Sequence, residues 1–192
     1  MVIGSLGPGG AERQCELLCQ HLAQRKGNQI DDVRVFVSSL SRTPRDAFFK
    51  SNIEDAGILV MDYESPSAPV ALHDSILHHK TEGNIELLQP PSKRLSIMRL
   101  YNSLFNFNPH IVHGWLDDSV YIGGLATSLL GQARFVGRWG SLPPTWRRVS
   151  SPSDRDRAER MRNAYHALWE RSNVQFFTNA RVSKQLNVRS LP

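Results

Sequence analysis

Four closely spaced glycines, Gly4, Gly7, Gly9 and Gly10, lie between the apolar pair Val2-Ile3 and a helical pattern that opens at Ala11 (VIGSLGPGGAERQ). A loop of this kind turns tightly and keeps side chains away from the start of the helix. The first helical amides have no intrahelical partner and carry the positive end of the dipole, so the loop is suited to holding a phosphate or another anion. A dinucleotide site would need a third glycine and an acidic residue at the end of the second strand. Glu12 stands at the glycine position, Ser38-Ser39 end the strand, and Asp31-Asp32 come before it. The dinucleotide reading fails at both points.

His113 and Trp115 fall at the C-terminal edge of a buried strand, where open α/β sheets place their ligands. An imidazole there can hydrogen-bond a sugar hydroxyl, and an indole can stack on a sugar face. The alternative is a partly buried histidine beside a packing tryptophan. Asp117 or Asp118 is expected to cap the helix that follows. His110 and His113 point to opposite faces of a strand, and His78-His79 lack a ligand constellation, so no metal site is expected. No nucleophile-elbow or P-loop sequence occurs.

These residues need a scaffold, and the periodicity supplies one. Helical spacing over Ala11 to Arg25 is followed by a strand at Val33 to Val37 and a helix from Pro44 to Ala56. A third strand runs from Ile58 to Met61. After an irregular stretch, Asp62 to Pro91, in which a short helix is expected, a helix runs from Ser92 to Phe107. Strands at Ile111 to His113, Arg134 to Arg138 and Val174 to Phe177 then alternate with helices ending at Leu129 and Arg171. A closing helix is expected over Asn179 to Leu186. The alternation predicts a Rossmann-like, doubly wound α/β domain with a parallel sheet in the order 3-2-1-4-5-6. Met1 begins almost inside the first strand, so a few strand residues are expected to precede it.

The chain's 192 residues suit one α/β domain. A net charge of +5 favours anionic partners without choosing among nucleotide phosphates, a membrane surface or nucleic acid. Cys15 and Cys19, four apart on one helix, are expected to pack as small buried groups in a reducing compartment. The arginines from Arg147 to Arg162 are interleaved with Asp154, Asp156 and Glu159. They read first as a salt-bridged helix face, with Arg155–Glu159 and Asp156–Arg160 pairs. No stripe of basic residues with aromatic platforms suggests nucleic acid.

Three segments together resemble the N-terminal domain of family 4 glycosyltransferases, two-domain enzymes of the GT-B fold. They are GSLGPGGAERQ, then PHIVHGWLDDSVYIGGLATSLL from Pro109 to Leu130, and more weakly FTNARV from Phe177 to Val182. The resemblance implies a retaining transfer from a nucleotide-activated sugar to a saccharide or lipid-linked acceptor. It implies no metal or other cofactor and a cytoplasmic setting, with peripheral contact at the inner membrane face. Gly9 and Gly10 would approach the donor diphosphate, while His113, Trp115 and Arg138 would line the acceptor or donor-sugar pocket. Arg138, the candidate for charge stabilisation, stands where many members of the family carry a histidine or arginine. Its alternative is a surface arginine at a strand end. Residues 1–192 would be the acceptor-side domain alone, inactive without a donor-binding domain, with an exposed interdomain face through which a dimer could form. A non-catalytic binding module of the same fold and, less well supported, an NAD(P)-binding domain remain the alternatives.

Overall fold

The computed structural model describes residues 1–41, 43–65, 91–139 and 151–178. Six strands form one sheet in which every paired neighbour is parallel: β1 (Val2–Ile3), β2 (Arg34–Val37), β3 (Leu59–Asp62), β4 (Ile111–Trp115), β5 (Arg134–Trp139) and β6 (Val174–Thr178). Their order is β3-β2-β1-β4-β5-β6, as the alternation of elements predicts. The direction of winding reverses between β1 and β4, where Val2 pairs with Gly114.

Five helices are described: α1 (Gly10–Ala23), α2 (Lys50–Asp55), α3 (Pro91–Phe107), α4 (Asp117–Leu130) and α5 (Pro152–Trp169). Side chains alternate across the sheet. Ile3, Val35, Val37 and Trp115 pack with Cys15 and Cys19 of α1 and Ile53 of α2. Val2, Phe36, Val112 and Phe135 pack on the other side with Leu100 of α3, Leu125 of α4 and Leu168 of α5. The apolar strands therefore read as continuous runs, since both faces are covered there.

Helix α4 is the most deeply buried, with Ser119 to Thr127 all inside. Its glycines make this close seating feasible. A Cβ on Gly124 would lie 2.5 Å from Leu168 Cδ1, and one on Gly123 would lie 3.2 Å from Phe135. Gly131 ends the helix in the left-handed conformation (φ 80°), which glycine adopts without strain.

The second helix is shorter than its sequence pattern suggests. Residues 44–49 form turns, and only Lys50–Asp55 is helical. Asp46 holds the start of that segment by accepting from the Thr43 amide at 2.9 Å and hydroxyl at 2.8 Å. Leu6 in the glycine loop donates to the Asp46 carbonyl at 2.7 Å and accepts from the Phe49 amide at 3.0 Å. These two bonds tie the turns to the loop after β1, a tertiary demand that overrides local helix propensity. The expected short helix before Pro91, most of the Gly140 to Ser153 loop, and the closing helix lie outside the described residues, as do Arg147 and Arg148.

Candidate functional site

A crevice of about 310 Å³ opens at the C-terminal ends of β1, β2 and β3, beside the switch in winding. Its walls carry Gly4 and Ser5 after β1, Ser38 and Ser39 at the end of β2, and Tyr63 and Glu64 after β3. Glu12, Asp46, Lys93, Asp118 and Ser119 complete the polar lining. The floor is tied together by the Ser38 hydroxyl, which donates to the Gly4 carbonyl at 2.8 Å, and by the Ser39 amide, which donates to it at 3.1 Å. The Tyr63 phenol is 1% exposed and stands beside Ser38 without a well-formed hydrogen bond. Burial raises its pKa above the usual tyrosine value, so it stays a neutral donor.

Helix α4 supplies the far wall. Its start is set by Leu116, whose backbone has φ 66°, and no side chain caps it. The expected aspartate cap is therefore not made. Asp117 and Asp118 sit in the first helical turn, where a negative charge suits the dipole. The Asp118 carboxylate accepts from Arg157 Nη2 at 2.8 Å and faces Lys93 Nζ at 3.4 Å, joining α3, α4 and α5 at the rim. Tyr165 of α5 adds a hydrogen bond to the Asp117 carbonyl at 3.0 Å. Arg157 thus serves the crevice, and Glu159 meets Arg162 at 4.0 Å. The Arg155–Glu159 and Asp156–Arg160 pairs are not formed among the described residues.

The glycine loop opens above the crevice. Gly9 precedes α1 with extended backbone (φ −100°, ψ 165°), and a Cβ on Gly10 would meet open space. The space that a Gly9 side chain would fill is taken by the Glu12 carboxylate, whose Oε2 would lie 2.1 Å from that Cβ. A ligand phosphate at this helix start would share the loop with an acid of the protein's own.

His113, Trp115 and Arg138 gather on the opposite side of β1, under α1. Trp115 is 3% exposed and packs into the core with Ile3, Cys15 and Cys19. The Arg138 guanidinium lies 4.5 Å over its ring and hydrogen-bonds Gln14 of α1. Such stacking holds the arginine flat across the strand ends. The His113 ring is 4.7 Å from that of Trp115 and 5.5 Å from that of Phe177. Its Nε2 and the Trp115 Nε1 are both buried without a hydrogen-bond partner. Burial first, then the positive charges of the Met1 amino group and Arg138, lower the histidine to about 4. At neutral pH it is an uncharged imidazole.

His113 does not face the crevice. It lines a second, mostly apolar cavity of about 510 Å³ with Met1, Leu18, Leu22, Ile30, Phe107 and Ile111. The predicted site residues therefore divide into two groups. Gly9 and Gly10 stand at the start of α1, whereas Arg138, Trp115 and His113 stack in series beside α1, with His113 at the end that lines the apolar cavity. The sequence reading missed Glu12, Tyr63, Lys93 and Asp118 as crevice residues. Only Ser38-Ser39 gave a signal, as polar residues in the place of the acid that a dinucleotide would require.

Among the described residues, no group of three histidine, cysteine or acidic side chains could hold a metal ion, and no helix is long and apolar enough to cross a membrane. Comparison of the chain with models of protein families, with curated proteins and with solved structures finds no match.

Proposed function

We propose that this chain is the acceptor-side domain of a glycosyltransferase that uses a nucleotide-activated sugar. The observation that carries the reading is the crevice at the switch point, walled by serine hydroxyls, the Tyr63 phenol and carboxylates. A polyhydroxylated acceptor presents alternating donors and acceptors, and such walls can answer both. The glycine loop beside it leaves open space at Gly10, at the start of α1, where the positive end of the helix dipole suits a donor diphosphate. In this reading a donor-binding domain closes over the loop, and Arg138 supplies positive charge where the diphosphate departs. The setting is the cytoplasm, at the inner membrane face when the acceptor is lipid-linked.

Saturation-transfer NMR on the purified chain tests this proposal with neutral saccharides, UDP- and GDP-sugars, and NAD(P). Saccharide contacts that vanish in Ser38→Val support it. Contacts to NAD(P) with none to any saccharide or nucleotide sugar overturn it. A second reading, a binding module that transfers nothing, draws on a different observation. Ile111 and Phe177, on one face of the sheet, are 62% and 42% exposed, as a docking face would be. Saccharide binding without turnover when a donor-binding domain is supplied would select that reading.

A further inference from the structure

The two cysteines are four residues apart on α1, so they share one face of the helix, and both are fully buried. Strand β1 starts directly beneath that face. It places the Met1 thioether 3.8 Å from Cys15 Sγ and 4.0 Å from Cys19 Sγ. We propose that Met1 Sδ, Cys15 Sγ and Cys19 Sγ form a trigonal site for a soft monovalent metal ion, Cu(I).

The spacing fits this chemistry. Metal–sulfur bonds of about 2.3 Å at 120° place sulfurs about 4.0 Å apart, and the Met1 sulfur already stands at that spacing from both thiols. Thiolate and thioether ligands select Cu(I) over harder ions. The cluster supplies no fourth ligand for the tetrahedral shell that zinc prefers. Met1 is half-buried and lines the 510 Å³ cavity, which gives an ion a path to the two enclosed thiols. Loading exchanges two thiol protons for one Cu(I), leaving the site with a single negative charge and releasing both protons to solvent.

The test is anaerobic titration of the reduced full chain with Cu(I) against the chelator bicinchoninate, followed by copper X-ray absorption. One tightly held copper per chain with a three-sulfur shell is expected. Cys15→Ser combined with Cys19→Ser should abolish binding, with circular dichroism to check the fold. Norleucine in place of methionine keeps the side-chain volume and removes only the sulfur. It should reduce the shell to two sulfurs and weaken binding about tenfold, equivalent to about 1.4 kcal/mol. A two-sulfur shell in the unsubstituted chain, copper retained by the folded double variant, or an unchanged shell with norleucine would each overturn the site. If the double variant does not fold, the norleucine chain alone decides.

Discussion

The two cavities that flank the centre of the sheet differ in what their walls can recognise. The 310 Å³ crevice at the C-terminal strand ends is built from loop hydroxyls, carboxylates and a lysine. The 510 Å³ cavity under α1 has an apolar side of Leu18, Leu22, Ile30, Phe107 and Ile111 beside the uncharged His113 imidazole, and a polar rim of Asp31, Asp32, Arg34 and His110. The polar crevice takes its chemistry from the residues at which the strands stop. The larger cavity takes its apolar side chiefly from Leu18 and Leu22 of α1, Phe107 at the end of α3 and Ile111 at the start of β4, where burial selects for hydrocarbon. It lies among residues at the N-terminal ends of the strands, away from the C-terminal ends at which open parallel sheets bind their ligands, so it is not the better candidate for sugar chemistry.

The sharpest way to break this comparison is to remove the indole at the edge of the apolar side. Trp115→Ala should cost about 3–5 kcal/mol of stability, because the ring is buried against α1 and carries Arg138. Chemical denaturation measures this, and a loss below about 1 kcal/mol would mean that the core collapses around the gap.

Acid should separate the two cavities next. His113 titrates near 4 when folded and near 6.5 when unfolded, so between those values the unfolded chain binds the extra proton. Stability should fall as pH drops from about 6.5 to about 4, by up to about 3 kcal/mol, and His113→Gln should remove that part of the slope. The charged groups that act on the ring are the Met1 amino group and Arg138, and Asp31, Asp32, Arg34 and His110 line the same cavity. Thermal melts across this range provide the measurement, and an identical slope in the variant would assign the acid sensitivity elsewhere.

Gly124→Ala addresses the crevice through its support. The new methyl would press on Leu168, which is itself fully buried, and should cost about 1–3 kcal/mol by overpacking. Hydrogen exchange should quicken along α4, which supplies the crevice wall, and leave α1 unchanged. The smallest stability effect belongs to Asp118→Ala. Its pairs with Lys93 and Arg157 are well exposed, so less than about 1 kcal/mol should be lost. On the proposed function, saccharide contacts at the crevice should weaken in the same variant.

Much of the scaffold was legible because it rests on local and periodic signals. Val33 to Val37, Arg134 to Arg138 and Val174 to Phe177 are apolar or β-branched runs between turn residues, and each corresponds to a strand within a residue or two. The Pro44 to Ala56 helix was overestimated. Its first half is held by bonds from Asp46 and Phe49 to Leu6, far away in sequence, and no periodicity reports such a contact. The aspartate cap was misplaced for a related reason. The positive φ at Leu116 turns the chain there, and Asp118 is taken up by Lys93 and Arg157 from two other helices.

The candidate site was less legible than the fold. Gly9 and Gly10 could be placed at a helix start from their own neighbours, because glycine spacing governs local backbone geometry. His113 and Trp115 looked like a pair at a strand edge. Their alternate spacing puts both on the α1 side, where the indole is enclosed and the imidazole meets apolar walls.

By itself, the sequence determined the order and type of the elements, the parallel sheet and the reversal of winding that opens a crevice beside β1. These follow from hydrophobic period, glycine position and the handedness of strand crossovers, all of which act over short stretches of chain. Only the tertiary structure decided which side chains meet. It brought Ser38, Tyr63, Lys93 and Asp118 to one crevice, set Glu12 against Gly9, and stacked Arg138 on a buried Trp115. It also brought the Met1 sulfur to two thiols on a neighbouring helix. Such meetings depend on how separate elements pack, and packing is settled by the core as a whole.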